Sequence, residues 1–221
     1  MKMNQFWLRA MGIFGIMGGV ILFAGDMLYY YDANNPNLLE NMGNAFNFRI
    51  IASGITALLA SWFYMLGLGQ VYYAFKPTTA KVRNTVLISF GMILISYGII
   101  HAAYLAIATS TKLAIENQLD IDSATALASQ ANQILRLFIY PVFAVLSYFF
   151  ITQVWKRKTY YPRWIILFFP LIPFLFQGVI SKFLTGKLWI IFAGGFLNII
   201  LIIFFTASTI ALWNSNSREL L

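Results

Sequence analysis

The sequence has no cysteine and a single histidine, His101, in 221 residues. The first absence excludes disulfides, thiolate metal sites and cysteine nucleophiles together. The second puts a closed zinc site and a bis-histidine haem out of reach, so no metal or cofactor is expected. Charge is scarce too: 10% of the residues are Asp, Glu, Lys or Arg, against about 25% in an ordinary soluble domain. The net charge of +8 does not point to nucleic acid. The Lys and Arg residues form short clusters between apolar blocks, not a stripe along one solvated face. No Asn-x-Ser/Thr sequon and no nucleotide-binding motif occurs.

What the chain does have is apolar length. Hydrophobic residues make up 60% of it, gathered into blocks that reach the roughly 20 residues needed to cross a bilayer. Six such blocks run over about 7–31, 50–75, 85–110, 135–155, 164–184 and 188–213, with Trp, Tyr, Lys or Arg at their ends as interfacial anchors. They are continuous runs, not the alternating segments of an outer-membrane barrel, so each reads as a helix. The expectation is one all-α domain over residues 1–221, a six-transmembrane-helix bundle.

Orientation follows from the basic residues. Lys2, Arg9, Lys76, Lys81, Arg83, Lys156, Arg157, Lys158, Arg163 and Arg218 fall on one side. Arg49, Lys112, Arg136, Lys182 and Lys187 fall on the other, with Asp32, Glu40, Glu116, Asp120 and Asp122. The positive-inside rule then puts both termini in the cytoplasm (N-in/C-in), as an even number of spans requires. Leu22-Phe23-Ala24-Gly25-Asp26 offers no clear small-x-small cleavage site, and the first block is span-length, so it is read as retained. The outer connection from Asp32 to Asn47, rich in asparagine and carrying Pro36, suits an irregular or interfacial segment. In the next outer connection Asp122 or Ser123 could cap a helix that runs into the fourth span without a breaker until Pro141. The tail after Trp213 is short and polar. An inverted repeat of three spans fits the layout, with almost no sequence support.

Inside the spans, the informative residues are the ones that are costly in lipid. Asp26 lies about 7 Å below the outer end of the first span. Gly12, Gly15, Gly19, Asp26 and Tyr30 share one helical face, and Gly15-x-x-x-Gly19 is a close-packing pattern that would take Asp26 inward. Of Tyr29-Tyr30-Tyr31, this register turns only Tyr30 inward and leaves the others to an interfacial belt. Two readings of Asp26 compete: a ligand or proton role, and a buried carboxylate paired with Arg49 or a tyrosine. His101 lies about 14 Å below the outer end of the third span, on a face with Tyr97 and Tyr104. It is either a hydrogen-bonded structural group or the partner of Asp26 in a proton relay. Arg136 and Tyr140 fall near the outer surface, Gln177 shares a face of the fifth span with Ser181, Asn198 lies close to mid-depth, and Pro170 and Pro173 kink the fifth span. Together these predict an outer polar chamber whose ligand-binding residues are Asp26, Tyr30, Arg49, His101, Tyr104, Arg136, Tyr140 and Gln177.

The stretch Gly25-Asp26-Met27-Leu28-Tyr29-Tyr30 resembles a pattern in small bacterial six-span proteins grouped as domains of unknown function. The resemblance covers that motif and the overall layout. It implies a bacterial inner-membrane location and brings no activity.

Three function classes follow. The leading one binds or transports a small molecule or lipid through the outer chamber, with membrane lipid around it. The second is a structural or assembly protein with a membrane-protein partner or a second copy of itself. The third is an intramembrane enzyme using Asp26 and His101 as acid and base. An enzyme is the less favoured reading, and no residue is assigned as catalytic.

Overall fold

The computed structural model describes residues 4–214; Lys2, Arg218 and the polar tail beyond them lie outside the described residues. All regular structure among the described residues is helical. The elements are α1 (Gln5–Tyr30), α2 (Leu38–Asn44), α3 (Asn47–Ala74), α4 (Ala80–Glu116), α5 (Ile121–Leu137), α6 (Ile139–Trp155), a 3₁₀ helix (Arg163–Phe168), α7 (Leu171–Ser181) and α8 (Gly186–Leu212). Among the described residues, five helical stretches are long and apolar enough to cross a membrane: α1, α3, α4, the α5–α6 pair and α8.

Local chemistry sets most boundaries. Asn4 opens α1 by accepting from the Phe6 amide at 2.9 Å. Within the Asp32–Asn47 connection Asn37 does the same for the short α2, accepting from Leu39 and Glu40. The 37 residues of α4 give it a length of about 55 Å, well beyond the roughly 30 Å of a bilayer core. The cap of α5 is Asp120, not Asp122 or Ser123, since its carboxylate takes the Ser123 amide at 2.9 Å. The break before α6 falls at Phe138, three residues ahead of Pro141, which has no amide to give to Leu137.

Those hydrogen bonds from Ser123 hold the Asp120 carboxyl below its ordinary value. A group depressed on folding stabilises above its unfolded pKa and loses that contribution as pH falls through the folded one. Acidification through the carboxylate range is therefore expected to fray the first turn of α5, read as faster amide exchange at Ser123 after the intrinsic pH dependence is removed. Unchanged protection would show that the cap does not hold that turn.

The fifth apolar block differs from a single helix. Pro170 stands between the 3₁₀ turn and the eleven-residue α7, which has no buried residue, and Pro173 lies in the first turn of α7 without interrupting it. It still runs the length of the bundle. Tyr161 hydrogen bonds Ser208 near the end of α8 at 2.7 Å, Phe169 meets Phe204, and Phe174 meets Phe143 farther along. The chain then turns at the far end, where α8 begins.

α1 sits between α3 and α8 on its glycine face. A Cβ on Gly67 would lie 2.6 Å from the Gly15 Cα, so these two backbones touch. Beside them Phe90, Phe150, Phe169, Phe204 and Phe205 fill the core. A polar chain ties the end opposite Asp26: Ser208 donates to Gln70 Oε1 at 2.6 Å, and Gln70 donates to the Leu8 carbonyl at 3.2 Å. Buried amides left unpaired are costly, and this chain satisfies them.

Candidate functional site

The packing of α1 on its neighbours carries Asp26 into a closed set of hydrogen bonds. Asp26 Oδ1 lies 3.0 Å from His101 Nδ1, and Asp26 Oδ2 accepts from Asn198 Nδ2 at 2.5 Å. On the other edge of the imidazole, Nε2 lies 2.9 Å from Ser53 Oγ and 3.0 Å from the Ser53 carbonyl oxygen. Four helices thus meet through four side chains: α1, α3, α4 and α8. Both ionisable members are nearly sealed, Asp26 at 8% and His101 at 5% exposure. Gly25 makes room for this approach, because a Cβ there would lie 3.1 Å from His101 Nε2 and collide with Thr56.

The partners fix where the protons sit. Ser53 Oγ donates to the Gly25 carbonyl at 2.7 Å, so it can only accept from His101. The Ser53 carbonyl is an acceptor as well, and Nε2 therefore carries a hydrogen. Between Nδ1 and Oδ1 there must be one more, because a bare nitrogen facing a carboxylate would be repulsive at that distance. Whether that proton rests on nitrogen or oxygen, the Asp26–His101 pair is neutral as a whole. Ser53, His101 and Asp26 share the connectivity of a hydrolase triad. The Ser53 side chain is completely buried and its hydrogen is committed to Gly25, so it does not present a nucleophile.

Above this network lies a cavity of about 390 Å³, within the size range of small-ligand sites. Seven of the eight residues expected to line an outer chamber do line it: Asp26, Tyr30, His101, Tyr104, Arg136, Tyr140 and Gln177. Leu22, Ile100, Phe143, Phe174, Phe196 and Leu197 supply apolar wall. Arg136 is held from α5. Its Nε donates to Asn132 Oδ1 at 3.1 Å, its Nη2 donates to the Tyr104 hydroxyl, and Asn132 donates to the Ile100 carbonyl at 3.2 Å.

Arg49 does not reach the cavity. Its Nη2 donates to the carbonyls of Met27 and Tyr31 at 3.2 and 3.1 Å, which closes the C-terminal end of α1. Depth put it beside Asp26, but its direction along α3 takes it to carbonyls at the end of α1 instead. Tyr29 is a second departure, since it is fully buried with its ring centroid 5.3 Å from that of His101. Ser53 and Tyr97 were missed as members of the site, although Ser53 stands at matching depth on the neighbouring helix.

A family model described as "Family of unknown function (DUF6796)" matches residues 1–215. The chain belongs to this family. No curated protein and no solved structure matches it. DUF6796 membership carries no activity with it, so a role must be argued from the Asp26–His101 network and the chamber above it.

Proposed function

We propose that this protein is a six-crossing membrane protein that binds a small molecule or lipid in the chamber bounded by Asp26, His101 and Arg136. The single observation behind this reading is that ionisable side chains otherwise costly in lipid line one cavity among apolar helices. The sixth crossing is the divided segment from Arg163 to Ser181, because it passes from one end of α8 to the other. Both termini are cytoplasmic in this reading and the chamber opens toward the outer face of a bacterial inner membrane. The clusters at Lys76–Arg83 and Lys156–Arg163 support that orientation.

Orientation is open to a direct test because the chain has no cysteine. In intact cells, Asn34→Cys is expected to react with a membrane-impermeant maleimide, whereas Lys158→Cys reacts only after permeabilisation. The opposite pattern would overturn the assignment of sides.

Binding is tested by thermal unfolding of the purified full chain against panels of soluble metabolites and lipids. Leu197 lines the chamber, and Leu197→Trp fills part of it. A compound that raises the midpoint of the wild type but not of Leu197→Trp is the expected result. No shift with any class would count against a binding role.

A further inference from the structure

Two features mark the chamber and its surroundings. One is its charge. Arg136 has no carboxylate within ion-pair distance among the described residues, since its contacts are Asn132 and Tyr104. The only carboxylate in the cavity wall is Asp26, and the Asp26–His101 pair is neutral. The chamber therefore has one uncompensated positive charge, the half-buried guanidinium of Arg136. Such a group in a low-dielectric setting is left costly until an anion meets it, and its planar fork suits phosphate and carboxylate oxygens.

The other feature lies next door. An apolar groove runs between α4 and the α5–α6 kink, lined by Met92, Ile99, Leu135 and Phe138. Ile100 and Ile139 line both this groove and the chamber, so the two share a wall. The groove faces outward, with Ile99 at 55% and Phe138 at 75% exposure, where an acyl chain would reach it from the surrounding bilayer.

We propose that the ligand is an anionic amphiphile from the membrane, its phosphate or carboxylate head on Arg136 in the chamber and its chain across Ile100 and Ile139 in the groove. This rests on the reading of the chamber as a binding site and names the class of ligand it takes. The hydroxyls of Tyr30, Tyr97 and Tyr140 and the Gln177 amide are further polar groups lining the chamber. A free inorganic anion would satisfy Arg136 and leave the groove without a role.

The test uses a reporter cysteine in the cysteine-free full chain, Ala193→Cys, on the chamber wall. The protein is reconstituted in phosphatidylcholine nanodiscs and its maleimide labelling rate is followed with dodecyl phosphate, inorganic phosphate or dodecanol. Dodecyl phosphate is expected to slow labelling at concentrations where the other two do not. Arg136→Gln should weaken that protection about tenfold or more, the loss of one charge-assisted contact. Ile99→Trp, which fills the groove at an exposed position, should weaken it as well.

Equal protection by inorganic and dodecyl phosphate would overturn the role of the groove. Dodecanol protecting as well as dodecyl phosphate, with Arg136→Gln without effect, would overturn the anionic head and leave the binding site itself standing. Protection by none of the three would overturn both readings. Folding of each variant is checked by its thermal midpoint, and Arg136→Lys, which keeps the charge, should retain part of the protection if Arg136→Gln unfolds.

Discussion

Replacing His101 with alanine is expected to cost about 3–5 kcal/mol of unfolding free energy, the typical penalty for removing one partner of a buried pair. The cost arises because every neighbour of the imidazole is left with a group that cannot turn to water. Asp26 is 8% exposed and loses the partner of Oδ1, and the Ser53 carbonyl and hydroxyl lose their donor. Asp26→Ala should be comparably damaging, since it strands His101 Nδ1 and Asn198 Nδ2 together.

Asp26→Asn separates charge from hydrogen bonding. An asparagine amide can donate to His101 Nδ1 while its oxygen still accepts from Asn198. Every polar group then keeps a partner and the network stays neutral. The loss should be within about 1 kcal/mol, the scale of one ordinary hydrogen bond. Denaturant unfolding of the purified variants in mild detergent checks both values. If Asp26→Asn falls as far as His101→Ala, the pair depends on a full carboxylate charge and the neutral, closed description is wrong. The same contrast bears on acid–base chemistry, because a proton relay through Asp26 would lose its function in Asp26→Asn while the fold survives.

Much of this arrangement was legible before the structure, and the limits were of one kind. Depth along a helix can be counted at 1.5 Å per residue, so Asp26, His101, Arg136 and Gln177 were expected in one half of the bundle, and all four line the same cavity. Azimuth was available only where a pattern supplied it. The glycine face of α1 did so for Asp26 and Tyr30, both buried. For Arg49 no such pattern exists, and a long side chain one turn into α3 was free to reach the carbonyls of Met27 and Tyr31. Ser53 carries only its depth as a signal, and a hydroxyl in an apolar helix commonly bonds its own backbone. Only the four-helix meeting point makes it the partner of His101. The prolines acted unequally: the helix is interrupted at Phe138, three residues before Pro141, and again at Pro170, whereas α7 runs through Pro173. How far the backbone departs at each proline depends on neighbours that also re-satisfy the freed carbonyls.

The close approach of α1 and α3 leads to the second large effect. Gly67→Leu is expected to cost about 3 kcal/mol or more, the upper part of the range for overfilled cores. Its first added carbon would lie 2.6 Å from the Gly15 Cα and 2.9 Å from the Gly15 nitrogen. Both are backbone atoms, so no side-chain rotation relieves the clash and the two helices must separate. Gly178→Ala is the contrasting substitution. It stands within α7 with nothing inside 4 Å of an added Cβ, and alanine's helix preference should leave stability unchanged or raise it by up to about 1 kcal/mol. Separation of α1 from α3 also pulls Asp26 and Gly25 away from Ser53, because the same glycine face positions all of them. Gly67→Leu should therefore expose the chamber network as well as weaken the bundle. The reporter at Ala193→Cys would then label faster in the folded fraction, whereas unaltered labelling in a destabilised protein would mean that helix spacing at Gly67 and the geometry at Asp26 are independent.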